Sequence, residues 1–205
     1  MMMLQTSFRL LHEMGACKDR YKYLAKSLGG IKKYGEDTPI TLLKILDVCG
    51  LDDAIWAVRA CPGAEQFGHL LACDYAEHVL HVYEHEHPGD YSPHNVIKTT
   101  RQYAKGEATK AEVEAMRRHL PTRPSSIAVF EVLTAVKSSV HADLYSTVSA
   151  ARDANEFAAI ARVIRPEKNI LPWKIIRDSV ERAINDEIEW QEQRLRELLE
   201  EVEER

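Results

Sequence analysis

The sequence predicts an all-α protein, an antiparallel multi-helix bundle or array of about nine or ten helices with no sheet. Apolar residues recur three and four positions apart in nearly every segment. No segment alternates apolar and polar residues as a half-buried strand would. Glycine and proline punctuate the chain at short intervals, so connections are short and neighbours pack antiparallel.

Each element follows from local signals. Leu4, Phe8 and Leu11 predict a first short helix, stopped near Gly15. Tyr21, Leu24, Ala25 and Leu28 mark a second, ended by Gly29-Gly30. Thr38 reads as an N-cap with Pro39 in the first helical position, where a missing N–H costs nothing. Leu42, Leu43, Ile45 and Leu46 give that third helix its apolar face, and Gly50 ends it. Asp52 and Asp53 suit the first turn of a fourth, where carboxylates meet the positive end of the helix dipole. Ile55, Trp56 and Val58 fill it, and Pro62-Gly63 stops it.

A long helix is expected from about Ala64 to Glu86, buried along Leu70, Leu71, Cys73, Ala76, Leu80 and Tyr83. His87-Pro88-Gly89-Asp90 is a turn in which proline presets one dihedral and glycine permits positive φ. Ser92-Pro93 opens a helix that Gly106 closes, and Thr109 with Glu112 forms a capping box for the next, which ends before Pro121. Pro124-Ser125 starts the most apolar segment, through Val129, Val132, Leu133, Val136, Val140 and Leu144; it runs to Ala151 or on through Phe157 and Ile160. Pro166 breaks it, and Pro172 begins a last helix. A single domain spanning 1–205 is expected, with any subdomain division near 121–124.

Composition narrows function. The 205 residues carry a formal charge of −5, and residues 186–205, an acidic C-terminal helix or tail, hold nine acids against three arginines. The remaining body is almost neutral, which gives no electrostatic footprint for nucleic acid. No segment is long and apolar enough for a membrane span, and the N-terminus lacks a secretory leader pattern, so a cytoplasmic protein is expected. Cys17, Cys49, Cys61 and Cys73 form no CxxC pair, which argues for reduced, mostly buried thiols rather than a zinc ribbon. Cys73 with His69 at i−4 could make an activated thiolate, but a small core residue is the commoner role.

Residues 72–106 are the densest in chemistry. They hold five of the nine histidines: His78, His81, His85, His87 and His94. His78, His81 and His85 share a helix face with Glu84 beside it, so a metal-dependent enzyme built on these four is one reading. Di-metal helical sites need a second E-x-x-H half-site, and the chain has none. The other reading is a helical hairpin that presents His81, His85, His87, Asp90, His94 and Arg101 to a protein partner. Arg101 is expected to pair with Glu77 or Glu84 across the hairpin. The last helix carries Ile184, Ile188, Leu195, Leu198 and Val202 at heptad-like spacing, which suits docking on its own bundle or a coiled-coil contact in a homo-oligomeric scaffold.

The residues Ala72-Cys73, Ala76-Glu77-His78-Val79-Leu80, Tyr83-Glu84, His87-Pro88-Gly89-Asp90, Pro93, Val96-Ile97, Arg101, Tyr103-Ala104, Gly106-Glu107-Ala108 and Glu112 carry a resemblance. Gly15-Ala16-Cys17, Leu51-Asp52-Asp53-Ala54-Ile55-Trp56 and the segment from Glu189 to Leu199 extend it. In this pattern the chain resembles the helical "putative immunity protein" family of bacterial toxin–immunity and prophage loci. It departs where that family often has Arg-Pro-Arg and this chain has Ser92-Pro93-His94. The resemblance implies an all-helical, non-catalytic inhibitor without a cofactor, which covers the functional surface of a partner protein. An acidic chain suits a basic partner such as a toxin nuclease.

Overall fold

The computed structural model describes residues 4–141, 143, 146, 150, 153, 154, 157 and 173–204. Its elements are β1 (Gln5–Thr6), α1 (Phe8–Glu13), α2 (Lys18–Ser27), α3 (Ile31–Tyr34), β2 (Ile40–Thr41), α4 (Leu42–Cys49), α5 (Leu51–Val58), α6 (Glu65–His78), α7 (Leu80–Glu86), α8 (Ser92–Ala104), α9 (Lys110–Arg117), α10 (Ile127–Ser139) and α11 (Trp173–Glu204). The chain divides into two compact units. One comprises Met1–Glu65 with Glu192–Arg205, the other Gln66–Gln191. Pro121–Pro124, the sequence's candidate boundary, lies inside the second unit.

The first unit corrects the expectation of no sheet. β1 and β2 pair antiparallel, Gln5 with Thr41 and Thr6 with Ile40, and Leu42 N–H donates to the Leu4 carbonyl at 3.1 Å. Pairing with β1 draws Ile40 and Thr41 into a strand, and α4 starts three residues later than the Thr38-Pro39 signal suggests. Thr41 is its N-cap, accepting from Lys44 N–H at 3.1 Å, while Thr38 donates its hydroxyl to the Tyr34 carbonyl. Two residues per strand leave no alternation to read. Phe8, fully buried, anchors this unit, with the rings of Tyr21 and Tyr34 edge-on at 5.5 and 5.8 Å. Gly50 joins α4 to α5 at φ 85, a backbone that L side chains rarely adopt. Arg196, from the C-terminal portion of α11, reaches Asp47 of α4 at 2.9 Å.

In the second unit α7 packs on α10, and α8 on both α9 and α10. The shared core is aliphatic: Val79, Leu80, Val96, Ile97, Val113, Val129, Val132, Leu133 and Val136 are all buried. Cys73 joins them as a plain core thiol, its pKa pushed up to about 12 by burial. His69 does not activate it, because the His69 ring bonds the Ser139 carbonyl at 3.2 Å.

The long helix expected over 64–86 is two helices. At Val79 (φ −96, ψ 1) the ladder tightens, with Val82 N–H bonding the Val79 carbonyl at 3.1 Å. At the same break His81 Nδ1 donates to the His78 carbonyl at 3.0 Å. Its ring thus does for that carbonyl what a regular helix would leave to backbone. The capping box at Thr109 and Glu112 forms as the sequence indicates. The apolar segment starts at Ser126, the N-cap of α10, and its helix ends at Ser139; Pro166 and Pro172 lie outside the described residues. Among the described residues no helix is long and apolar enough to cross a membrane.

Candidate functional site

The hairpin is α7, a turn at His87–Tyr91, and α8. Gly89 takes φ 91 in that turn. Asp90 then braces it. One carboxylate oxygen accepts the Tyr83 hydroxyl at 2.6 Å, and the other accepts the Ser92 N–H at 2.8 Å. These two bonds, the tyrosine first, hold the Asp90 carboxyl below its ordinary range. Burial, with the Asp90 carboxylate adding to it, pushes the Tyr83 phenol up to about 12.

The tip is tied to the start of α10. Ser125 and Ser126 donate their hydroxyls to the two oxygens of Glu86 at 2.6 and 2.7 Å. Burial works to raise the Glu86 carboxyl, but the two serines outweigh it and lower it. His87 completes the tie, its Nε2 2.8 Å from Ser125 and its ring stacked on Tyr83 at 4.7 Å.

Further along, Arg101 of α8 grips α6 through Asp74 at 2.5 Å and Glu77 at 2.7 Å. Glu77 answers the sequence's expectation, and Asp74 is added to it. Burial alone would lower the Arg101 guanidinium; the two carboxylates reverse that and raise it. Asp90, His87 and Arg101 are therefore framework. His81, His85 and His94 remain on the surface, with His94 loosely between Glu77 and Glu84 at 3.9 and 3.7 Å.

The four residues of the metal reading do not converge. His78 turns towards α11, where its Nδ1 sits 2.9 Å from the fully buried Glu187. Its ring lies flat on Trp190 at 3.6 Å, and Gln191 donates to the second Glu187 oxygen at 2.8 Å. Tyr75 adds a hydroxyl bond to the Gln191 carbonyl at 2.9 Å. His81 is occupied by the His78 carbonyl. Among the described residues no three His, Cys, Asp or Glu side chains are placed to hold a metal ion.

A family model covers this frame. Residues 69–120 match the "Imm-5 like putative immunity protein" family. The match covers about a quarter of the chain and spans most of α6, the hairpin and α9. The dense stretch of the resemblance, from Ala72 to Glu112, falls within it, while the extensions at 15–17, 51–56 and 189–199 lie outside. No curated protein matches the chain, and no solved structure does.

Sequence reasoning missed the partners that lie far away along the chain. Glu187, Trp190 and Gln191 are more than 100 residues from His78, and nothing local to the histidine marks them. It also missed Tyr91, 66% exposed at the hairpin tip, and Ile127 and Phe130, exposed at the start of α10. The hydroxyl-tied turn beside them was not visible because Glu86, which accepts from Ser125 and Ser126, lies about 40 residues away.

Proposed function

We propose that this chain is an immunity-type protein, a non-catalytic module that binds a toxin protein and covers its functional surface. The contact surface is the outer side and tip of the α7–α8 hairpin: His81, His85, His94 and Tyr91, braced by His87, Asp90 and Arg101. The observation that carries this reading is the family match at 69–120, which coincides with the hairpin. Two features support it. The frame is braced at its tip, along α8 and at α10, so little ordering cost is left for binding. An exposed tyrosine flanked by imidazoles is the kind of group that anchors protein interfaces.

A basic partner, such as a toxin nuclease, fits the chain's formal charge of −5. The inhibitor acts by steric cover, and no step of it needs a metal or a reacting side chain. Titrating the chain against a candidate basic toxin nuclease tests this. Stoichiometric loss of toxin activity is expected. A variant carrying His81→Ala, His85→Ala and Tyr91→Ala should inhibit at least tenfold less well while keeping its helical circular dichroism. Undiminished toxin activity in the presence of excess wild-type chain rejects the proposal.

A further inference from the structure

On the second unit, away from the hairpin tip, four helices converge on a concavity of about 130 Å³. His69 comes from α6, Tyr103 from α8, Lys110 and Val113 from α9, and Val140 and His141 from the end of α10. The sequence singled out His69 only as a possible partner of Cys73, and it did not join these six residues in one site. The concavity is open to solvent on one side, and its volume accommodates about four to six heavy atoms of an occupant.

The chemistry of the lining is one-sided. The Ser139 carbonyl can only accept, so His69 Nδ1 carries a proton and Nε2 is the free nitrogen. Tyr103 stands edge-on to that ring at 5.3 Å. Among the described residues, neither the Tyr103 hydroxyl nor the Lys110 ammonium makes a hydrogen bond. His141 Nε2 lies 3.8 Å from Glu114. That carboxylate is already held by Arg117 at 2.8 Å, and Arg117, then burial acting against it, then the charges of His141 and Lys110, leave it below its ordinary range.

The fixed charges at the rim are thus Lys110 and Arg117 against Glu114, a single net positive charge. Val113 and Val140, both buried, supply apolar wall. We infer that this concavity binds a short aliphatic carboxylate of propionate size, with Lys110 and Tyr103 donating to its two oxygens and the valines meeting its alkyl end. In its imidazolium form either histidine donates as well. A doubly charged phosphate fits less well, since the ionised Glu114 opposes a second negative charge and the site has no Arg fork or backbone nest to hold one.

The test is a titration of the full chain with sodium propionate at constant ionic strength, read from assigned histidine ring-proton resonances. Saturable shifts are expected at His69 and His141, with His85 and His94 unmoved. Lys110→Met should weaken binding at least tenfold and Tyr103→Phe severalfold, with wild-type helical circular dichroism showing that each variant is folded. Lys110 is exposed, so its replacement leaves the core intact. Shifts that never saturate, or that persist unchanged in Lys110→Met, overturn the inference. Phosphate binding tighter than propionate overturns the carboxylate assignment.

Discussion

Asp90 shows how one side chain sets both a turn and a pH response. It is solvent-exposed, so its bonds to Tyr83 and Ser92 are screened and contribute only about 1 kcal/mol together. Asp90→Asn should cost about that much in a urea titration at pH 7. Because the folded carboxyl is lowered, its contribution is complete above the unfolded value near ~4 and fades as pH falls through the folded one. Wild type should therefore lose stability on acidification more steeply than the Asn variant. Tyr83 works in the opposite direction. Its phenol is raised to about 12, so it stabilises fully below ~10, the unfolded value, and that contribution is lost as pH climbs towards 12. Tyr83→Phe should flatten the alkaline limb of the stability curve. Equal acid limbs in wild type and Asp90→Asn would remove Asp90 from the account.

Helices α6 and α11 meet at a buried carboxylate, and magnitude decides what that pairing does. Removing one partner of a buried pair leaves the other short of a partner; the usual penalty of ~3–5 kcal/mol falls to about 2–3 here because His78 is partly exposed and Gln191 still donates to Glu187. His78→Ala should therefore lower stability several times more than Glu84→Ala, whose carboxylate faces water, by chemical denaturation of both. Similar losses for the two would contradict the pairing. The start of α10 is worth a separate measurement, since Ser126→Ala removes both its N-cap and its bond to Glu86 and should cost about 1–2 kcal/mol. Elements were legible where their signals are local. The capping box at Thr109, the turn at Gly89 and the stop at Gly106 sit within a few residues of what they control. Where two local signals compete, distant pairing decides: Thr38-Pro39 resembles a helix start, but pairing with Gln5–Thr6 draws Ile40 and Thr41 into a strand. The break at Val79 was hidden because apolar periodicity continues through it.

Across the whole molecule, the acidic end has a structural job in both units. Its portion through Gln191 buries Glu187 and Gln191, and beyond it Leu195 and Leu199 are buried. Burying two leucines is worth roughly 3–6 kcal/mol, against a total stability of ~5–15 kcal/mol for a typical protein. Deleting residues 186–205 should therefore abolish a cooperative thermal transition, as followed by circular dichroism. A truncated chain that melts as wild type does would return this helix to the role of an optional tail. Of the heptad-like positions Leu195 is buried, while Ile184, Ile188, Leu198 and Val202 are half-buried, so the buried face runs through Glu187, Gln191, Leu195 and Leu199 rather than along the pattern read in the sequence. The histidine-rich stretch was legible as a hairpin, but which imidazoles stay on the surface was not. That depends on Glu187, Ser125 and the His78 carbonyl, which claim His78, His87 and His81 Nδ1 respectively. The central claim is that the hairpin, and not the acidic helix, meets the partner. Amide hydrogen exchange of the chain, alone and saturated with a toxin protein that it is found to inhibit, measures this directly. The account predicts new protection across residues 80–95 with 186–204 unchanged; protection confined to 186–204, with the hairpin exchanging as before, would contradict it.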